Sequence, residues 1–301
     1  MRTKHHSGFV SILGRPNAGK STLLNALLGQ KLAIVASRPQ TTRNSIQGVL
    51  TLPKAQIVFV DTPGIHKADT LLNKRMMDSV RSSADADVVL FLVDSLAPFN
   101  EEDMQAVDLV KKLKAPVLLI LNKVDRLEDK PKILRLIERY RELHEFADYI
   151  PISAMKGEGL DTLRKQIVDR LPEGPPLFEE DHLTDQPERF LAAEILREQV
   201  LRLTQQEVPH ATAVMIDNWE DKGSLVRITA TIFVEKPGQK AIIIGAGGAG
   251  IKKIGTLARQ QMEKVLGKKV FLETLVKVRQ KWRDDPEFLK SLDWRSMAGI
   301  D

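Results

Sequence analysis

The sequence contains no cysteine and no long apolar run. The absence of cysteine excludes disulfides, thiolate nucleophiles and cysteine-ligated zinc, and it agrees with a reducing compartment. No segment has the length and apolar character of a transmembrane helix, and the first nine residues, MRTKHHSGF, lack the apolar core of a signal peptide. We therefore expect a cytoplasmic protein.

The charge of the chain is unevenly distributed. The 301 residues suit two domains better than one, and the net charge is only +5. Between Lys236 and Arg283, however, twelve Lys and Arg residues stand against two acidic residues, so the remainder of the chain carries a net charge of −5. This asymmetry favours a polyanionic partner for the C-terminal half, and a solvated face on a stable domain is the alternative.

The hydrophobic pattern divides the chain in two. Apolar segments, FVSIL, QIVFV, VVLFLV, PVLLIL and YIPIS, alternate with helix-compatible sequence through residues 1–171, which predicts an α/β domain with a mainly parallel sheet. Residues 172–187 contain four prolines and a glycine and are predicted as a linker. The order helix, strand, strand, helix, helix, strand then predicts an α+β domain over 188–285, followed by a tail over 286–301.

The sequence GRPNAGKS matches the Walker A pattern and lies between FVSIL and a helix that opens at Lys20. The backbone N–H groups of such a loop cradle phosphates. Lys20 would contact the β- and γ-phosphates, and the Ser21 hydroxyl would bind Mg²⁺. An accidental glycine turn is the alternative. The predicted phosphate-binding residues are Gly14, Arg15, Pro16, Asn17, Ala18, Gly19, Lys20, Ser21 and Thr22.

Three further motifs follow apolar segments in order. Asp61 opens DTPG at the carboxyl edge of the sheet, where it can hold Mg²⁺ through water. Asp125 closes NKVD, and its carboxylate can accept hydrogen bonds from the N1–H and 2-amino groups of guanine, a donor pair that adenine lacks. The third motif, SAM, offers a backbone N–H to guanine O6. The predicted nucleotide-binding residues here are Asp61, Thr62, Pro63, Gly64, Asn122, Lys123, Asp125, Ser153, Ala154 and Met155.

These four motifs resemble those of the translation-factor-like branch of P-loop GTPases. The resemblance implies that a threonine between the first two motifs completes Mg²⁺ coordination when γ-phosphate is present. We assign this role to Thr42, with Thr41 as the alternative, and a threonine-rich surface loop as a third interpretation. Lys20 and Gly64 are the other predicted switch or catalytic residues.

Two positions bear on the rate of hydrolysis. Ile65 occupies the position where many small GTPases have a glutamine that orients the attacking water, and isoleucine cannot make that hydrogen bond. This predicts slow intrinsic hydrolysis, with the rate supplied by another group or by a partner. Similar GTPases with a PNxGKS loop are often activated by K⁺, and Asn17 matches the asparagine that helps to hold the ion. We expect His66 to be a surface residue of the switch region.

The basic C-terminal half contains the pattern IGxxGxxI of KH domains, whose loop clamps the backbone of about four nucleotides. Together with the order of the elements it resembles a type II KH fold. Ala246 and Gly247 lack the basic side chain often found in this loop, so neighbouring lysines must supply the charge. The predicted RNA-binding residues are Lys240, Gly245, Ala246, Gly247, Gly248, Lys252, Lys253, Lys277 and Arg279.

The same glycines allow two other interpretations. Gly245, Gly247 and Gly250 satisfy the GxGxxG pattern of dinucleotide-binding folds and follow the apolar segment AIII, although too few residues remain for the rest of such a sheet. Tight packing between two helices would also require glycine. Of the nearby aromatic residues, we expect Phe271 in the core, and leave Trp282 and Trp294 open between tail packing and base contact.

Across nearly its whole length the chain resembles the Era family, in GRPNAGKS, QTTR, DTPGIH, NKVD and the KH loop. The resemblance implies a GTPase that uses GTP, GDP, Mg²⁺ and K⁺ and binds 16S rRNA near its 3′ end during maturation of the 30S ribosomal subunit. It also implies peripheral association with the inner membrane, and no obligate protein partner is inferred. The alternatives are a GTPase of another ribosome-assembly class, one of a tRNA-modification class, or a dinucleotide-dependent enzyme.

Overall fold

The structure is a computed structural model that describes residues 4–36, 41–65, 70–82, 85–129, 131–205 and 208–297. It divides into two compact units. The first comprises residues 1–33, 42–67 and 75–185, and the second comprises residues 34–41, 68–74 and 186–301. His66 and residues 37–40 of the predicted switch region lie outside the described residues.

A six-stranded sheet forms the centre of the first unit. Its strands are β1 (His6–Gly14), β2 (Ile46–Leu52), β3 (Ala55–Asp61), β4 (Val88–Asp94), β5 (Val117–Asn122) and β6 (Asp148–Pro151). The strands lie in the order β2-β3-β1-β4-β5-β6, and only the β2–β3 pair is antiparallel. The predicted mainly parallel α/β sheet is therefore confirmed. Because the central strands are buried on both faces, they consist of almost continuous apolar sequence.

Helices follow the strands of this sheet. They are α1 (Lys20–Leu28), α2 (Leu71–Ser82), α3 (Glu101–Val110), α4 (Pro131–Leu143) and α5 (Leu160–Val168). The start of α3 is fixed by a capping box, in which the Asn100 side chain accepts from the N–H of Glu102 and the Asp103 carboxylate accepts from the N–H of Asn100. This cap holds two acidic side chains at the start of the helix.

Most of the segment that we predicted as a linker belongs to the first unit. The unit extends to residue 185, and the buried side chain of Gln56 anchors the segment. Its Oε1 accepts from the N–H groups of Leu177 and Phe178, at 2.7 and 2.8 Å. The Thr184 hydroxyl donates to the carbonyl of Gln47 at 2.7 Å. The prolines therefore mark an irregular segment that is packed against the sheet.

The second unit follows the predicted order of elements. They are α6 (Glu188–Leu203), β7 (Ala213–Asp221), β8 (Leu225–Val234), α7 (Pro237–Ile244), α8 (Ala249–Leu266), β9 (Lys269–Val278), α9 (Pro286–Ser291) and α10 (Trp294–Met297). In its sheet β8 is central, antiparallel to β7 and parallel to β9. Within the described part of the chain no single helix could span a membrane, although α7 and the following helical stretch, bent by 45°, together meet the same criteria of length and composition.

One face of this three-stranded sheet carries the core of the second unit. Val270 is buried and Leu272 and Val276 pack against the core, which α6 and α8 also line. Side chains alternate along a strand, so the intervening residues of β9 point to the other face. Phe271 and Leu275 are accordingly 48% and 50% exposed. The expectation that Phe271 lies in the core is therefore wrong.

Trp282 is fully buried. Its indole N–H donates to the carbonyl of Ala211 at 2.9 Å, and its ring meets that of Phe288 edge-on at 5.9 Å. Trp294 is also buried. Of the two roles left open for these residues, packing is the one that the structure supports.

These environments predict opposite consequences for two aromatic residues of the second unit. Trp282→Ala removes a fully buried ring and leaves the Ala211 carbonyl without its donor, so we expect a loss of about 3–5 kcal/mol in the free energy of unfolding. Phe271→Ala, on the exposed face, is the matched control and should cost less than about 1 kcal/mol. Urea unfolding followed by circular dichroism measures both. Similar losses for the two variants would contradict the placement of Trp282 in the core and of Phe271 on the exposed face.

Candidate functional site

The loop between β1 and α1 owes its shape to the buried side chain of Asn122. Gly19 has a φ of 102°, and a Cβ built there would lie 2.3 Å from the Asn122 Nδ2 atom. The Asn122 amide donates to the carbonyl of Ala18 at 2.8 Å, and its Oδ1 accepts from the N–H of Ala154 at 3.0 Å. One side chain from β5 therefore ties the predicted phosphate loop to the predicted guanine-binding loop.

Lys20 opens α1 and is buried. Its ammonium donates to the carbonyls of Gly14 and Arg15, at 3.1 Å each. Burial lowers the pKa of Lys20 to about 8, and the nearby charge of Asp61 opposes that shift. The loop thus surrounds a desolvated cation, which is the arrangement that attracts a phosphate anion.

The structure brings together the three residues predicted to hold Mg²⁺. The Ser21 hydroxyl donates to Asp61 Oδ2 at 2.8 Å and lies 2.7 Å from the Thr42 hydroxyl. The Thr42 hydroxyl also donates to Asp61 Oδ2, at 3.2 Å. Thr41, the alternative to Thr42, instead directs its hydroxyl at the carbonyl of Ala36, 3.3 Å away.

The properties of Asp61 fit a cation at this position. Burial raises the pKa of Asp61 to about 6, while the charge of Lys20 and the hydroxyls of Ser21 and Thr42 oppose the shift. Asp61 Oδ1 is buried and has no hydrogen-bond partner among the described residues. No group of three or more His, Cys, Asp or Glu side chains in the described ranges could hold a metal alone. Hydroxyl and carboxylate oxygens completed by phosphate oxygens are a Mg²⁺ ligand set.

The remaining residues of the NKVD motif lie beside the loop. Lys123 Nζ donates to the carbonyl of Asn17 at 2.8 Å and forms an ion pair with Asp94 at 2.6 Å. Asp125 is exposed in a short 3₁₀ turn. Ser153 is buried, and Met155 is 75% exposed. The carboxylate of Asp125 is therefore open to a base at the carboxyl edge of the sheet.

The side chain of Arg15 is directed away from the phosphate position. Its guanidinium contacts Glu102 and Asp103 at the start of α3, at 2.7 Å in each case. Sequence reasoning missed these two acids and also Asp94. Asp94 could have been found, because it ends β4 just as Asp61 ends β3. Glu102 and Asp103 follow no motif, so nothing in the sequence connects them with the loop.

The DTPG motif lies against the GRPNAGKS loop. The Thr62 hydroxyl donates to the carbonyl of Ile12 at 2.8 Å, and the N–H of Ile65 donates to the carbonyl of Gly14 at 3.2 Å. A Cβ at Gly64 would lie 2.8 Å from the backbone nitrogen of Pro16. The Ile65 side chain is 7% exposed and belongs to the core. As predicted, this side chain has no group that could form a hydrogen bond to the attacking water. It is also packed in the core.

The predicted KH loop joins α7 to α8, and its glycines fall into two groups. A Cβ at Gly245 would lie 2.8 Å from the nitrogen of Gly250, and one at Gly250 would lie 2.6 Å from the carbonyl of Ile243. A Cβ at Gly247 or Gly248 would meet nothing within 4 Å, although both residues have a positive φ, 57° and 82°. The packing interpretation therefore holds for the first pair, and the second pair is open to a ligand.

The dinucleotide interpretation of this loop is wrong. The GxGxxG fingerprint requires a strand before the first glycine, so that the turn leads into a helix at the sheet edge. The segment AIII instead belongs to α7, and the loop connects two helices.

The predicted basic residues do not all face this loop. Lys252 and Lys253 are exposed near the start of α8, and Lys240 lies on α7. Lys277 lies on β9, on the sheet face that points away from the core. Both α7 and α8 contribute to that core. Arg279 forms an ion pair with Asp285 at 2.5 Å and lies 4.3 Å from the Phe288 ring centre. Of the predicted basic residues, Lys252 and Lys253 are therefore the exposed ones that directly follow the loop.

The fold and these sites define a P-loop GTPase unit followed by a KH unit. The sequence matches the family 50S ribosome-binding GTPase over residues 9–123 and the KH domain over residues 207–283. The chain belongs to the Era family of GTPases, and its enzymatic activity is the hydrolysis of GTP.

The relatives match the chain over almost its full length. The GTPase Era of Geobacter metallireducens is 50% identical over 291 residues, covering 96% of this chain and 97% of that protein. The crystal structure of a single-residue variant of Aquifex aeolicus Era bound to GDP·AlF4⁻ superposes with a TM-score of 0.92 at 41% identity, covering 96% of this chain and 99% of that chain. A crystal structure of Era with MgGDPNP and nucleotides 1506–1542 of 16S ribosomal RNA gives 0.93, with the same identity and coverage.

The raised pKa of Asp61 predicts that protons compete with Mg²⁺. Below about pH 6 protons increasingly occupy this carboxyl, so the apparent Mg²⁺ affinity in the presence of GDP should fall as the pH decreases, by up to about tenfold per pH unit. Above pH 6 it should level off. Fluorescent GDP titrated with Mg²⁺ between pH 5 and 7.5 measures this.

Phosphate groups of the nucleotide titrate in the same range, so the slope must be compared with that of Asp61→Asn. This variant should bind Mg²⁺ weakly, with the pH dependence of the nucleotide alone. Asp108→Asn, an exposed carboxylate on α3, should retain the wild-type slope. Equal slopes for wild type and Asp61→Asn would remove Asp61 from the metal site.

Proposed function

We propose that this chain binds GTP with Mg²⁺ in the loop around Lys20, selects guanine through Asp125, and couples hydrolysis to the binding of 16S ribosomal RNA. The observation that carries the first part is the convergence of Ser21, Thr42 and Asp61 beside the buried ammonium of Lys20. The nucleotide-binding residues predicted in the sequence analysis for the other motifs would complete the nucleotide site.

When bound, Mg²⁺ would neutralise charge on the phosphate oxygens. Lys20 would exchange its loop carbonyls for phosphate oxygens. Thr42 would hold its segment in place only while γ-phosphate is present, which makes order in this segment depend on hydrolysis. With Ile65 in the core, no side chain at this position orients the attacking water, so intrinsic hydrolysis should be slow. K⁺ held by Asn17 is the candidate for the missing catalytic group.

For the second unit we infer RNA binding at Gly247 and Gly248. These glycines leave the backbone accessible, and Lys252 and Lys253 follow near the start of α8. The Era crystal structure with nucleotides 1506–1542 of 16S ribosomal RNA supports the 3′ end of that RNA as the target. From membership of the Era family we infer a role in 30S subunit maturation. A cytoplasmic location with peripheral association with the inner membrane, implied by the family, stays a prediction.

RNA binding is tested by adding negative charge to the loop. Ala246→Asp with Gly247→Asp places two carboxylates where phosphate would approach, and aspartate tolerates the positive φ of Gly247. We expect at least a tenfold loss of affinity for an RNA copied from the 3′ end of 16S rRNA, measured by fluorescence anisotropy. The matched control, Ala246→Asn with Gly247→Asn, has the same size without the charge and should lose less. GDP affinity should not change in either. Full RNA binding by the Asp variant would refute the loop assignment.

The K⁺ assignment is tested by GTP turnover in potassium and in sodium buffer, with and without the RNA. We expect faster turnover in potassium for the wild type. Asn17 has a φ of 63°, so Asn17→Gly removes the side chain without straining the backbone, and this variant should lose the preference for potassium. Asn17→Asp keeps an oxygen ligand and should retain it. Equal rates in both buffers would exclude a K⁺ site, and RNA without effect on turnover would separate the RNA from hydrolysis.

A further inference from the structure

The outer rim of the phosphate loop is supported by little packing. A cavity of about 160 Å³ lies behind residues 15–18, bounded by β4, α3 and α4. Ala18 is buried, whereas Asn17 is exposed, and polar contacts hold the loop at Arg15 and Asn17. Arg15 reaches the start of α3, and Asn17 is held by Lys123.

Asp94 is connected to Asn17 through one ammonium group. Its Oδ2 accepts from Lys123 Nζ at 2.6 Å, and the same Nζ donates to the Asn17 carbonyl at 2.8 Å. Its other oxygen accepts from the N–H of Leu96 at 3.0 Å, so the carboxylate is fixed at both oxygens. The side chains of Asp94 and Lys123 are 22% and 26% exposed, which partly shields the pair from solvent.

Lys123 and Asn17, the residues joined by this hydrogen bond, both have a left-handed backbone. Asn17 has a φ of 63° and Lys123 a φ of 70°. This conformation costs roughly 1–2 kcal/mol for a residue such as lysine and less for asparagine, so at Lys123 it persists only where contacts enforce it. The contact between Lys123 and the Asn17 carbonyl is one such contact, and the direction of the Lys123 side chain depends on Asp94.

We propose that Asp94 is a positioning residue of the nucleotide site. By directing Lys123 to the Asn17 carbonyl it keeps the phosphate loop in the conformation that retains nucleotide and presents the Asn17 side chain. The proposal rests on the nucleotide-site assignment made above. Asp94 itself touches no nucleotide in this scheme, and its effect passes through Lys123.

The test is a double-mutant cycle on the full-length protein, read out as the rate of fluorescent GDP release. Asp94→Asn removes the charge but keeps an acceptor for Leu96, and we expect GDP to dissociate about tenfold faster. Lys123→Met should accelerate release at least as much. In the Lys123→Met background, Asp94→Asn should have almost no further effect, because the contact through which it acts is gone.

Asp94→Ala reveals any purely structural role, because it also leaves the Leu96 N–H without its acceptor. Asp108→Asn is the control carboxylate. Effects of Asp94→Asn and Lys123→Met that multiply would show that Asp94 acts on the turn at Leu96 instead, and would overturn the proposal. The proposal would also be overturned if Lys123→Met released GDP faster while Asp94→Asn released it at the wild-type rate. Unchanged release in Lys123→Met would refute the nucleotide-site assignment itself. Thermal unfolding of each variant verifies the fold.

Discussion

The burial of Lys20 beside Asp61 is the interaction on which the nucleotide site depends. Removing either ion from water is unfavourable by several kcal/mol, which explains why burial lowers the pKa of the lysine and raises that of the aspartate. Two backbone carbonyls accept from Lys20 and two hydroxyls donate to Asp61, and these bonds only partly replace the lost hydration. A triphosphate with a divalent cation supplies stronger partners for each. The charges of the ligand-free site therefore favour the binding of a triphosphate with a divalent cation.

The parallel sheet explains why separate motifs in the sequence meet at this site. The carboxyl ends of β3, β4 and β5 lie at one edge, so Asp61, Asp94 and Asn122 end up near the loop that follows β1. The motif residues could be predicted from sequence because each follows an apolar strand. Asp94 has the same position but no motif around it. Glu102 and Asp103 reach Arg15 only through the capping of α3, and that packing is a tertiary fact without a local signal.

Other misses have equally local causes. β9 reads KVFLETLVKV, in which Phe271 alternates with Lys269, Glu273 and Lys277, whereas the other set of positions is mainly apolar. The alternation therefore places Phe271 on the polar face, and the expectation that it lies in the core followed its apolar character instead of this pattern. β2 was not among the apolar segments because it is an edge strand with several half-buried positions. The prolines of residues 172–187 correctly excluded regular structure. They carried no information about the buried amide of Gln56, to which this segment is bonded.

The glycine-rich loop shows how one short pattern satisfies several interpretations. Gly245 and Gly250 are required because two helices approach within the space of a methyl group, whereas Gly247 and Gly248 have room for side chains and differ only in their backbone conformation. A pattern search counts all four alike. What separates an RNA loop from a dinucleotide loop is the element before it, and a helix there leaves the N–H groups of the loop outside any sheet edge. The preceding element, which the apolar sequence AIII alone could not specify, therefore decides the chemistry that the glycines can serve.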